Sequence, residues 1–414
     1  MRGFSERADV EDVERLLASD LRPLEPETVP VGGCAGRVLA EDVAARHDVP
    51  GFRRAAMDGF ALRGEATFGA SEYAPLRFEV VGEAFPGRPH PESLEAGQAI
   101  RIMTGAPVPD GADAVVKAEV CREARGRVEV QEPVAPRKNV GEVGEDIRVG
   151  TTVLRRGRRL RPQDAGLLAS IGHAQVSCVR APRVALVVTG DELLPAGSAP
   201  RDCRIVDSNS TVLAALVARD GGVLLPFEIL PDDPERIRAA LQADADVLLV
   251  SGGSSVGQED HAPRLLAELG RLDFHGVTMR PSGPAGGGRI GESYVFLLPG
   301  NPVSCLCAYE FFAGPTLRAL GGRPRAWPHR RRRARLARKL SSQVGRTDYV
   351  RVELRGGEVV PIATSGASIL SSTVRASGAV IVPRELEGLP EGAEVEVLLY
   401  DEDSEPGEAG GDGP

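Results

Sequence analysis

The chain has 414 residues, 42% hydrophobic and 26% charged, with a formal net charge of -9, which fits roughly two to four folded domains and excludes disorder throughout. Aromatic residues make up only 4%, with a single Trp, so stacking on single-stranded nucleic acid is a poor expectation, and the acidic balance opposes broad contact with a phosphate backbone. The N-terminal MRGFSERADVEDVERLL has no apolar signal core, and no run approaches the roughly 20 apolar residues that span a bilayer; the expectation is a cytoplasmic protein.

Val10, Val13, Leu16 and Leu17 recur at helical spacing and predict an amphipathic helix over Asp9 to Asp20. Val43 to Val149 is rich in Gly and Pro, with short β-favouring runs at Phe78 to Val81, Ala114 to Val116 and Val128 to Val130, and predicts a small β-rich domain. Pro162 opens a predicted helix that runs through Ile171 and closes at Gly172. The six cysteines, Cys34, Cys121, Cys178, Cys203, Cys305 and Cys307, form no CxxC pair and are expected to be reduced.

From Arg183 to Gly321 the texture changes. VALVVT, LLPFEIL, DVLLVSGG and YVFLLPG read as buried strands alternating with helical runs such as TVLAALVARDGG and PERIRAALQAD, which predicts a mostly parallel, doubly wound α/β sheet. Pro324 and Pro328 bracket Trp327 at a linker. HRRRRARLARKL is read as one face of a C-terminal β domain with YVRVEL and AEVEVLLY, because Ala334, Leu336 and Leu340 interrupt the arginines. The expected division is 1–45 with 150–182 as a discontinuous helical and linker domain, 46–149, 183–325, 326–400 and a disordered acidic tail, 401–414.

Two loops stand out chemically. Ser251, Gly252, Gly253, Ser255 and Gly257 follow a buried strand, where glycines let backbone N–H groups turn inward as an anion cradle. Pro299, Gly300, Asn301 and Pro302 precede a second helix, with Asn301 placed to cap it and Pro302 at its first position. Asp191, Glu192, Asp232, Asp233 and Asp260 all follow strand ends, and carboxylates beside phosphate require a hard cation such as magnesium. There is no GxxxxGK[ST], which excludes a P-loop enzyme.

MDGFAL, RIMTGAPVPDGADAVV, GEDI, TGDEL, SGGSSVG and LPGNPVS, in that order, make the chain resemble the molybdopterin molybdenumtransferase family, the MoeA type that includes the gephyrin E region. The resemblance implies an elongated, multidomain α/β plus β chain with a MogA-like molybdopterin-binding domain, a small β-rich domain and a C-terminal barrel-like β domain. It implies a homodimer with a cleft across the dimer interface, and insertion of molybdate into adenylylated molybdopterin with release of AMP and help from Mg2+. The matching acidic and hydroxyl positions are Asp58, Thr104, Asp146, Glu192, Asp232 and Asp260. Glu192, Asp232 and Asp260 are assigned to the cation, and Asp58, Thr104 and Asp146 to the partner subunit's face. Substrate contacts would fall on the Gly loop, on Pro299 to Pro302 with Ser304, and on Arg280, Arg346, Arg351 and Ser368.

The chain also departs from that pattern. GVTMRPSGP stands where a lysine-bearing segment is common, so Gly276 and Gly283 lack cations and Arg280 replaces a third; Arg53, Arg54 and Ala55 stand where the family is more polar. A tungstate-handling paralogue, a nucleotide-only transferase or pyrophosphatase, and a noncatalytic pterin-binding scaffold are the alternatives. The Arg330 to Arg333 run is a candidate dock for an acidic partner such as a molybdopterin adenylyltransferase.

Overall fold

The computed structural model describes residues 7–201, 203–253, 261–363 and 366–401. Ser255, Gly257 and Asp260 of the Gly loop, and the acidic tail beyond Asp401, lie outside the described residues. Thr28–Cys178 form one compact unit, and Met1–Glu27 with Val179–Pro414 form the other.

The unit Thr28–Cys178 contains a six-stranded sheet ordered Ala114–Lys117, Gly59–Leu62, Gln98–Ile102, Leu76–Ala84, Arg127–Val130 and Cys121–Ala124. The three short β-favouring runs each lie inside one of these strands, and Leu62, Ile100, Ile102, Val115 and Val128 form its core. A second core gathers Cys34, Leu39, Leu160, Leu168, Ile171 and Cys178 around the helix Pro162–Ser170. Pro162 opens that helix because its missing N–H is not needed in the first turn.

In the other unit the helix Val10–Ser19 buries Val10, Val13 and Leu17, while Leu16 stays exposed, so its apolar stripe is narrower than the spacing suggests. The main sheet runs Val223–Leu224, Arg183–Thr189, Val247–Ser251, Ser293–Leu298, Gly286–Ile290 and Arg271–His275. Its first four strands are parallel; Gly286–Ile290 runs antiparallel to them, and Arg271–His275, antiparallel to that strand, shares their direction. LLPFEIL is not one strand: Val223–Leu224 and Ile229–Leu230 pair separately on Arg183–Thr189. Pro226 sits in the gap, where a residue without an N–H cannot extend the ladder.

The C-terminal strands close into a five-stranded barrel: Thr347–Arg355, Glu358–Ala363, Arg330–Leu336, Glu394–Leu399 and Gly378–Val382, the last pairing back on the first. The arginine run is therefore a barrel strand. Arg331 pairs with Glu396 at 2.9 Å and Arg333 with Glu394 at 3.5 Å, across the same strand pair. All six cysteines are free. No helix among the described residues is long and apolar enough to cross a membrane.

A buried ionic network ties the α/β layer to the barrel entrance. Arg219 bridges Asp220 at 2.8 Å and Glu310 at 2.6 Å, Arg318 reaches Asp220 at 3.0 Å, and His329 Nε2 lies 3.3 Å from Glu310. Burial pushes the Glu310 carboxyl up, but the bonds from His329 and Arg219 outweigh it and hold the group down to about 2. A carboxylate lowered in this way contributes stability in full above its ordinary value of 4.5, and the contribution is lost as pH falls from there towards 2. Glu310→Gln should cost about 3 kcal/mol at pH 7 in urea denaturation, because it removes the buried charge that the half-buried Arg219 guanidinium and His329 both face. The gap to the native chain should narrow at pH 3; an unchanged gap would contradict this role for Glu310.

Candidate functional site

In parallel register, Val188 faces Ser251 and Ser251 faces Leu298. The chain segments that follow, beginning at Thr189, Gly252 and Pro299, therefore leave the sheet side by side at its carboxyl edge, where such sheets take ligands. Gly252 has φ +99, and a β-carbon there would lie 2.2 Å from the Thr189 carbonyl oxygen, so only glycine fits. Thr189 Oγ1 is buried against this turn and has no hydrogen-bond partner among the described residues.

The neighbouring carboxylates are braced rather than loose. The Asp191 N–H donates to Asp232 Oδ2 at 3.4 Å and the Asp232 N–H donates to Asp191 Oδ1 at 3.3 Å, locking the loops after two adjacent strands together. Glu192 follows directly, with its carbonyl accepting the Ile205 N–H at 2.8 Å. Asp233 instead caps the helix Pro234–Ala240, accepting the N–H groups of Glu235 and Arg236. Asp260 lies outside the described residues, and among the described residues no three His, Cys, Asp or Glu side chains converge as a metal cage.

At the second loop Pro302 opens the helix Pro302–Ala308, and Asn301 holds the cap position but makes no capping bond. Its Oδ1 instead accepts the Ser368 hydroxyl at 2.7 Å, and the Val303 N–H donates to the Ala367 carbonyl at 2.9 Å. The barrel segment 366–370 thus braces Pro299 to Pro302. Ser304 is buried in the helix, its carbonyl accepting the Ser282 hydroxyl. From the other side, Asn209 Nδ2 donates to the Gly300 carbonyl at 2.8 Å and to Ser251 Oγ at 3.1 Å. Asp207 and Asn209 escape sequence reading; the only signal is Asp and Asn placed just before an apolar helical run, which reads first as a cap.

Two of the expected cations, Arg280 and Arg346, converge on one acid. Asp348, fully buried, pairs with Arg280, accepts Arg346 Nε at 2.9 Å and accepts the Ser342 hydroxyl at 2.8 Å. Arg351 is buried, with Nη1 3.5 Å from the Gly366 carbonyl at the start of the segment that carries Ser368. Gly276 has φ +92, where a lysine would be strained. A β-carbon added at Gly283 would lie 3.9 Å from an Arg7 guanidinium nitrogen, so a cation stands beside that position from another segment.

Within Thr28–Cys178, Asp58 Oδ1 accepts both the N–H and the hydroxyl of Thr104, each at 2.7 Å. These bonds, the backbone one first, hold the exposed Asp58 carboxyl below its ordinary range. Asp146 is exposed, with its N–H bound to the Val49 carbonyl at 3.1 Å. Arg54 is paired with Glu145 at 3.4 Å and Arg53 donates to the Ala112 carbonyl at 3.3 Å, so neither is an unengaged cation.

Comparison with known proteins identifies relatives of the whole chain. Residues 8–172 match the family model "MoeA N-terminal region (domain I and II)", residues 185–319 the "Probable molybdopterin binding domain", and residues 333–400 the "MoeA C-terminal region (domain IV)". Molybdopterin molybdenumtransferase 2 of Mycobacterium tuberculosis is 34% identical over 403 residues, covering 94% of this chain and 98% of its own. Molybdopterin molybdenumtransferase of Haemophilus influenzae is 31% identical over 387 residues, covering 91% and 94%. The crystal structure of a molybdopterin biosynthesis MoeA protein from Pyrococcus horikosii, 34% identical, superposes with a TM-score of 0.79 over 96% of this chain and 100% of that one. The resemblance read from the six motifs is borne out, and the chain belongs to the MoeA family.

Proposed function

We propose that this protein is a molybdopterin molybdenumtransferase, which inserts molybdate into adenylylated molybdopterin and releases AMP. The observation that carries the reading is the side-by-side exit of the segments at Thr189, Gly252 and Pro299 from the carboxyl edge, with the two anion-competent loops tied by Asn209 and the Asp191–Asp232 pair beside them. Backbone N–H groups at Gly252, Gly253 and Asn301 hold the diphosphate that joins pterin to nucleotide. Water attacks one phosphorus of the phosphoanhydride and the bond from that phosphorus to the bridging oxygen breaks, so AMP leaves with the water oxygen when its own phosphorus is attacked and with the bridging oxygen when the pterin phosphorus is attacked. Arg280, Arg346, Arg351 and Ser368 form the polar end for molybdate.

Magnesium suits the donors present. It takes one or two carboxylates together with substrate phosphates and keeps its remaining waters, so it does not require a preformed cage. Glu192 and Asp232 would hold it, with Asp260 as a third ligand from the segment outside the described residues. When bound, it would neutralise charge on the diphosphate. Asp58, Thr104 and Asp146 are assigned to a second copy's face of the cleft in a homodimer. An acidic adenylyltransferase docking on Arg330 to Arg333 would compete with the pairs already made by Glu394 and Glu396.

Purified protein should release AMP from adenylylated molybdopterin only when molybdate is added, and the product should reconstitute an apo-molybdoenzyme. Turnover that ignores molybdate would mark a nucleotide-only enzyme, and pterin binding without AMP release a scaffold. Asp232→Asn should lower AMP release at least about 100-fold, since it removes charge where the cation and diphosphate meet. Activity within about threefold of native would remove Asp232 from the mechanism. Thr104→Val should raise the Asp58 carboxyl pKa, read by carboxyl carbon NMR titration, yet leave it below the ordinary value because the Thr104 N–H bond remains. A titration identical to native would contradict the hydroxyl's part.

A further inference from the structure

We propose that Asn209 is a positioning residue that sets the direction of the anion-binding N–H at Asn301, a role that rests on the functional reading above. Asn209 is 7% exposed, and its Nδ2 donates to both Ser251 Oγ and the Gly300 carbonyl oxygen. A carbonyl can only accept, so the side-chain nitrogen, not the oxygen, must face Gly300. Asp207, itself 6% exposed, accepts the Asn209 N–H at 3.0 Å and the Ser210 N–H at 3.2 Å, which fixes where the amide starts.

The consequence follows from peptide planarity. The Gly300–Asn301 bond is trans, so its N–H points opposite to its C=O. With the carbonyl drawn inward onto Asn209, the Asn301 N–H is turned outward at the exposed rim of the loop. Ser368 meanwhile donates to Asn301 Oδ1, which fixes the orientation of that side chain beside the main-chain N–H. The same amide of Asn209 holds Ser251, directly before Gly252, so one side chain sets the spacing of both loops. Asn209→Asp would keep the shape but offer only acceptors to the Gly300 carbonyl. Asn209→Leu would keep the approximate volume and offer nothing.

Two measurements on the full chain test this. Hydrogen exchange in the ligand-free protein should be faster for Asn209→Leu than for native at both 251–253 and 299–303, with exchange of the barrel strand Thr347–Arg355 unchanged. In molybdate-dependent AMP release, the KM for adenylylated molybdopterin should rise about 10- to 30-fold, as expected for loss of two hydrogen bonds, while kcat stays within about threefold. Asn209→Gln, which restores the donor, should recover part of the KM. If Asn209→Leu does not fold, Asn209→Asp serves in its place with the same expectation. A lower melting temperature with native KM, or faster exchange at one loop only, would overturn the proposal. Absence of molybdate-dependent AMP release in the native chain would sink the functional reading, and the exchange comparison would still decide whether Asn209 joins the loops.

Discussion

An anion with several charges can be held only where donors face it before it arrives, because a donor that must first be freed from another acceptor returns little net energy. The proposed site meets that constraint with main-chain N–H groups at the carboxyl edge of a parallel sheet. The register that sets Val188 opposite Ser251 and Ser251 opposite Leu298 decides which loops lie together. The glycine at 252, the turn at Pro299 to Pro302 and the Asp191–Asp232 brace all follow from which residue each strand ends on.

The side-chain cations obey a different rule. Arg280 and Arg346 share Asp348, Arg331 and Arg333 face glutamates on the next strand, and Arg54 faces Glu145. A guanidinium engaged with a buried carboxylate is fixed in direction, which helps planar recognition of an oxyanion, but its net charge towards a ligand is reduced. Sequence counts of arginine therefore overstate the positive field at the site. Main-chain donors carry no such counter-charge, which is why the proposed anion site assigns the larger share of the grip to Gly252, Gly253 and the Pro299 to Pro302 turn.

Much of this is legible in the chain itself. Alternation of VALVVT, DVLLVSGG and YVFLLPG with helical runs points to the parallel sheet, because fully apolar strands need cover on both faces. The glycines at 252 and 253 and the prolines at 299 and 302 mark the loops, because their backbone demands are local. The break at Pro226 is readable in principle but is hidden by the apolar residues around it. Asn209 and Asp348 are not legible, since each matters through partners far away in sequence: Ser251 and Gly300 for the first, Arg280 for the second. The exchange of a capping bond at Asn301 for a bond from Ser368 is hidden for the same reason.

The central claim is that the diphosphate of an adenylylated pterin sits at the carboxyl edge between Gly252 and Asn301. A crystal structure of the protein with that compound bound tests it most directly. Phosphate oxygens should lie within about 3 Å of the main-chain nitrogens of Gly252, Gly253 and Asn301. Phosphates bound at another edge of the sheet, or on the barrel arginines, would contradict it.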